Sequence, residues 1–172
     1  MNKKLLTVLI AVVLPVIFSG KVFGQISQDA TVSVKLADAR SISITNPNVL
    51  LNFSSTADYT DGVNYLAKDQ LSVTSSTGYQ IKVSSVADLA STAGNKLPAN
   101  TISVQATPAT ADPNVTLQTQ KLGTSGGLTI VSSSKGTLPL SFSINYKTDA
   151  GAYINKPADT YNVVVTYSIA PL

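Results

Sequence analysis

Residues 138–146 read LPLSFSINY and residues 161–169 read YNVVVTYSI. In the first stretch Leu138, Leu140, Phe142, Ile144 and Tyr146 alternate with Pro139, Ser141, Ser143 and Asn145; in the second, Tyr161, Val163, Val165, Tyr167 and Ile169 repeat the pattern. A period of two sends every large side chain to one face of an extended chain and the small polar ones to the other. The two stretches therefore predict two half-buried β-strands, read here as a terminal hairpin. An isolated hairpin is marginal in water, so a second sheet has to cover its apolar face. The runs from Thr31 to Phe53 and from Leu71 to Ser84 supply that opposing surface.

Working outward, short alternating runs recur at Thr31–Leu36 (Val32, Val34, Leu36), Ser41–Thr45, Val49–Phe53, Leu71–Thr74, Gly78–Ser84, Thr101–Gln105, Val115–Leu117 and Leu128–Val131. Between them stand turn signals with mechanisms. Asp61-Gly62 and Thr77-Gly78 admit positive φ, Asn46-Pro47 and Asp112-Pro113 restrict the preceding residue, and Ser125-Gly126-Gly127 is flexible. Helical periodicity is nearly absent, with Val86–Ala93 at best one turn. Many short strands between such signals predict an all-β antiparallel sandwich of about eight to ten strands. A transmembrane barrel is the rival. The short strands, the small aromatic content (seven Tyr, four Phe, no Trp) and the non-aromatic ending Pro171-Leu172 oppose it.

The chain opens with Asn2, Lys3 and Lys4, continues through an apolar run from Leu5 to Phe18, and places Val22 and Gly24 at the −3 and −1 positions of a cleavage site. That is the pattern of a secretory signal peptide over residues 1–24. The run falls short of the ~20 residues that cross a bilayer, so no retained transmembrane segment is expected. The mature chain is expected to begin at Gln25, to form one domain over residues 25–172, and to reside in the periplasm, at the cell surface or outside the cell. Removing Lys3, Lys4 and Lys21 cancels the formal charge of +3. The basicity thus belongs to the export signal, and nucleic acid is not an expected partner. All nine acidic residues are Asp, which suits turns, and the absence of Cys leaves burial alone to hold the fold.

The side-chain inventory speaks against catalysis. With no His, Cys or Glu, the common general bases and thiol nucleophiles are missing. The reading is a non-enzymatic protein with no catalytic residues, no cofactor and no metal site. Asp58, Asp61 and Asp69 offer clustered oxygen ligands, but their spacing matches no calcium loop, and a plain turn is the expectation. Tyr79, Tyr146, Tyr161 and Tyr167 are in phase with the buried faces. Tyr59, Asn64, Tyr65 and Tyr153 fall in predicted loops and are the candidates for ligand or partner contact, since an exposed phenol ring stacks on sugars and anchors interfaces.

The ending PADTYNVVVTY, residues 157–167, resembles the terminal strand of secreted bacterial surface proteins, the spore-coat-U-like and fimbrial-subunit sandwiches. Asp58–Val63 followed by Asp69–Ser75 resembles small exported β-sandwich proteins of Bacteroidota. The resemblance implies an immunoglobulin-like sandwich, displayed or assembled at the cell surface, whose partners are copies of itself or other surface subunits. The disulfide frequent in such subunits is absent here. Assembly by strand donation needs a free N-terminal strand, and in this chain Ala30–Leu36 would have to provide it. The alternative reading is a module that binds cell-wall or extracellular glycan.

Overall fold

The computed structural model describes Gln28 and residues 30–172; the signal peptide expected at residues 1–24, and Gln25, lie outside the described residues. The chain divides into a unit that ends at Lys35 and a unit Leu36–Leu172. In the second unit the strands are β1 Arg40–Ile44, β2 Asn64–Ser75, β3 Tyr79–Ser85, β4 Leu89–Ser91, β5 Lys96–Leu97, β6 Ile102–Pro108, β7 Val115–Leu117, β8 Thr119–Lys121, β9 Leu128–Ser133, β10 Thr137–Thr148, β11 Tyr161–Asn162 and β12 Val165–Pro171. One short helix, α1 Thr56–Asp61, precedes β2.

The expected all-β sandwich is what the chain forms. One sheet has the order β1-β2-β10-β6-β8 and the other β12-β3-β9-β7, every pairing antiparallel, with a small third sheet β11-β4-β5. The two large sheets end in edge strands and do not close into a barrel. Their inner faces meet in one core, with Leu71, Val73, Val104, Phe142 and Ile144 from the first sheet and Tyr79, Ile81, Val83, Ile130 and Val131 from the second. No helix among the described residues is long and apolar enough to cross a membrane.

Five expectations need correction. The two C-terminal strands are not a hairpin: β10 lies between β2 and β6, while β12 pairs with β3 in the opposite sheet. Their apolar faces meet across the core instead of standing side by side, because alternation fixes which face is buried and says nothing about the hydrogen-bonded neighbour. The run Thr31–Leu36 forms no strand, and Val32, Val34 and Leu36 are 84%, 77% and 88% exposed. Val49–Phe53 keeps an alternating burial pattern, with Val49, Leu51 and Phe53 half-buried, yet belongs to no sheet. The stretch read as one helical turn contains β4, and the Asp58–Asp61 turn is helix α1.

Helix α1 forms because its ends are satisfied locally. The Ser55 hydroxyl accepts from the Asp58 amide at 3.3 Å, while Asp58 Oδ2 accepts from the Ser54 and Ser55 amides at 2.7 Å each. This capping box satisfies amides that a six-residue helix would otherwise leave open. Those amides hold the Asp58 carboxyl below its ordinary value near 3.8. Because the folded value is depressed, the stabilisation is present above about pH 4 and lost as the pH falls through the folded value. Ser55→Ala should cost about 1 kcal/mol in urea melts. Asp58→Asn should flatten the acid limb of the stability profile, and an unchanged acid limb would contradict the cap.

A bulge shapes the interior. β2 and β10 pair Phe142 with Leu71 and then Ile144 with Ala67, so three residues of β2 oppose one of β10. Asp69, at φ +48°, carries the turn, and its amide donates to Ser143 Oγ at 3.0 Å. Asp tolerates the left-handed region better than most residues. The extra residues turn Gln70 inward, so that Gln70 and Leu71 are both buried although adjacent in sequence.

Candidate functional site

Where the edge strands β1 and β12 approach without hydrogen bonding, the two sheets part into a cleft of about 620 Å³. One wall is Val49, Leu51 and Phe53, from the chain between β1 and α1. The other is Tyr161, Val163 and Val165. Leu89, Leu97, Ile102 and Leu122 make the apolar floor, and Leu50 and Val164, 70% and 64% exposed, stand at the rim. Among the described residues no backbone hydrogen bond joins Val49–Phe53 to a neighbouring strand, and β12 is paired with β3 alone.

The polar part of the cleft is a chain of hydrogen bonds that crosses from sheet to sheet. The Tyr146 hydroxyl donates to Gln70 Oε1 at 2.9 Å and lies 2.6 Å from the Tyr167 hydroxyl, while Gln70 Nε2 donates to the Asn46 carbonyl at 2.9 Å. A phenol has one proton, and that of Tyr146 is committed to Gln70, so Tyr167 donates to Tyr146. The bulge at Asp69 makes this relay possible, since without it Gln70 would face solvent. Burial, followed by the adjacent Tyr146 phenol, drives the Tyr167 phenol far above its ordinary value; burial also raises Tyr146.

Tyr146→Phe strands the buried Gln70 oxygen and removes the acceptor of Tyr167, at a cost of about 1–3 kcal/mol. The pH dependence follows from the raised values. The folded chain keeps protons that the unfolded chain releases, so this stabilisation is complete below about pH 10 and lost as the pH rises through the folded values. Tyr146→Phe and Tyr167→Phe should each flatten the loss of stability above pH 10, measured as urea midpoint against pH. Tyr79 and Tyr153, also raised by burial, act in the same direction.

The four candidate contact residues separate into two pairs. Tyr59, on α1, and Tyr153, after β10, both line the cleft and pack on Phe53, their ring centroids each 5.2 Å from its own. Tyr153 is only 8% exposed, and its hydroxyl is 2.8 Å from Thr101 Oγ1. It therefore serves as a pillar of the cleft wall. Asn64 and Tyr65 are on β2 rather than in a loop, opposite Lys147 and Tyr146 in register, and are not among the residues lining the cleft. Asp58 is committed to its helix cap, and Asp69 to the bulge. Among the described residues no group of three or more His, Cys, Asp or Glu is arranged to hold a metal ion.

Phe53, Tyr161 and Tyr167 line the cleft although their periodicity assigns them only to strand faces, and Gln70, on the polar phase of its strand, carries no signal in the sequence. Tyr161 and Tyr167 carry the alternation of core strands, and only the parting of the sheets at β12 makes them half-accessible. No protein-family model matches this chain, and no curated protein matches it.

Proposed function

We propose that this chain is an exported, non-enzymatic structural or adhesive protein of the cell surface, working as a repeated subunit of a fimbria-like appendage or coat. The observation that carries the reading is the exposed segment Val32, Val34 and Leu36. A strand-patterned apolar stripe in water is a cost that association with another surface removes. The leader pattern at residues 1–24 and the resemblance of the C-terminal strand to secreted surface sandwiches point the same way. The test is protease shaving of intact cells combined with electrophoresis of extracts under mild denaturation. Surface exposure with a ladder of multiples is expected. Only protected monomer would refute the reading.

A second reading is supported by the cleft itself, where Tyr59 and Tyr161 stand with Asn52 and Asn162 in an opening large enough for a sugar unit. Retention of the protein on peptidoglycan or polysaccharide, reduced by Tyr161→Ala, would favour this glycan-binding module. Absence of retention removes it and leaves the subunit reading intact.

A further inference from the structure

We propose that the cleft between the sheets is a binding site for a single-chain apolar molecule that ends in an uncharged hydroxyl group, the class of a long-chain alcohol. The inference goes beyond the subunit reading, which gives the cleft no task, and it competes with the glycan reading for the same opening.

The floor of the cleft sets the body of the ligand. Leu89, Leu97, Ile102 and Leu122 are wholly aliphatic and at most 9% exposed. A sugar ring carries a hydroxyl on most of its carbons and would leave several of them unpaired against such a floor, whereas a methylene chain gains by leaving water there. The volume of about 620 Å³ is that of a small-molecule site, which is mainly apolar with a few convergent polar groups.

The hydrogen-bond relay sets the head. Gln70 Nε2 carries two N–H groups; the Asn46 carbonyl takes one at 2.9 Å, and among the described residues no acceptor meets the other, although Gln70 is only 2% exposed. The Tyr167 hydroxyl gives its proton to Tyr146 at 2.6 Å, and among the described residues no group donates to the Tyr167 oxygen. Gln70 and Tyr167 both line the cleft and both bond to the one Tyr146 hydroxyl, so their remaining donor and acceptor converge. A ligand hydroxyl answers both, accepting from Gln70 and donating to Tyr167. A carboxylate answers only the first, and it brings a charge that neither floor nor relay has a cation to offset. The charged lining residues, Lys156 and Asp159, are opposite in sign and exposed in the stretch of chain before β11, so together they favour neither sign of ligand charge.

Isothermal titration calorimetry of the mature chain with decanol, decyl methyl ether and sodium decanoate tests this chemistry, because the three share a chain and differ in the head. Decanol should bind with a negative heat-capacity change, the mark of apolar burial. It should bind severalfold more tightly than the ether, which lacks the proton for Tyr167, and on the order of tenfold or more tightly than decanoate. Val163→Trp and Leu51→Trp, at half-buried positions on opposite walls, put a ring into the opening and should each weaken decanol binding by on the order of tenfold or more. Leu66→Trp, at an exposed position of β2 outside the lining, should leave it unchanged. Far-ultraviolet dichroism like the parent's qualifies each variant, and one folded wall variant suffices. No binding of decanol, equal affinity for the three heads, or binding that survives in a folded wall variant overturns the proposal, and none of these outcomes touches the ladder that tests the subunit reading. Retention on polysaccharide by a chain that does not bind decanol assigns the cleft to glycan and likewise overturns it.

Discussion

Phe142→Ala is expected to lower the free energy of unfolding by about 3–5 kcal/mol, the range for truncating a fully buried aromatic ring. Phe142 is 0% exposed and sits in β10, paired with Leu71 of β2 on one side and Pro108 of β6 on the other. Its ring is held by strands that cannot collapse inward without breaking ladders on both flanks, so little of the void would be refilled. Natural domains hold only about 5–15 kcal/mol in reserve, which makes this one substitution a large part of the total. Leu138→Ala, in the same strand but 84% exposed, supplies the contrast and should stay within about 0.5 kcal/mol of the parent. Urea unfolding followed by circular dichroism measures both. A Phe142→Ala loss below about 1 kcal/mol would mean that the two sheets do not close on this ring.

That contrast also shows what the sequence could and could not reveal. Leu138 and Phe142 belong to one uninterrupted alternation, and the pattern correctly predicts that both lie on a strand. It does not say where the opposing sheet ends. Phe142 is part of the core that both sheets share, whereas Leu138 is outside it and exposed. The terminal hairpin failed for a related reason. Leu140–Tyr146 and Val165–Ile169 each declare a buried face, but pairing is settled by which backbone edge is free, and that information is distributed over the whole topology. Local chemistry was more legible where a short-range mechanism acts, as at Asp61-Gly62, which does make a positive-φ turn, or at Val115–Leu117, which is β7.

The cleft was nearly invisible beforehand because its parts carry core-like signatures. Gln70 enters the interior only through the bulge at Asp69, whose two extra residues leave Ala67, Leu71, Val73 and Ser75 in phase and so leave no motif in the alternation. Tyr59 and Tyr153 were singled out for loop positions; what brings them together is Phe53, from a segment read as an ordinary strand. The exposed Val32, Val34 and Leu36 teach the converse. Their alternation predicts a strand of the sandwich, yet the segment forms no strand and its three apolar side chains are exposed. Alternating sequence specifies a capacity to pair.

Gly62→Ala should cost roughly 2–4 kcal/mol, from two independent sources. Gly62 ends α1 at φ +80° and ψ 165°, a combination essentially reserved for glycine. An added methyl group would also run into the Thr148 carbonyl, with Thr148 Oγ1 3.1 Å away. Thr148 has little room to yield, since its hydroxyl accepts from the Val63 amide at 2.7 Å and its own amide donates to the Val63 carbonyl at 2.9 Å. Gly94 separates the two sources: it has φ +85° but nothing within 4 Å of an added methyl, so Gly94→Ala measures strain alone, about 1–2 kcal/mol. The excess of Gly62→Ala over Gly94→Ala is then the cost of forcing α1 away from β10. Thr148 lines the cleft and α1 carries Tyr59, so the displacement should also disturb the Phe53–Tyr59–Tyr153 cluster. Near-ultraviolet dichroism of the tyrosines should change in Gly62→Ala and not in Gly94→Ala. Equal losses and identical spectra would show that this turn yields freely and that the wall of the cleft does not depend on it.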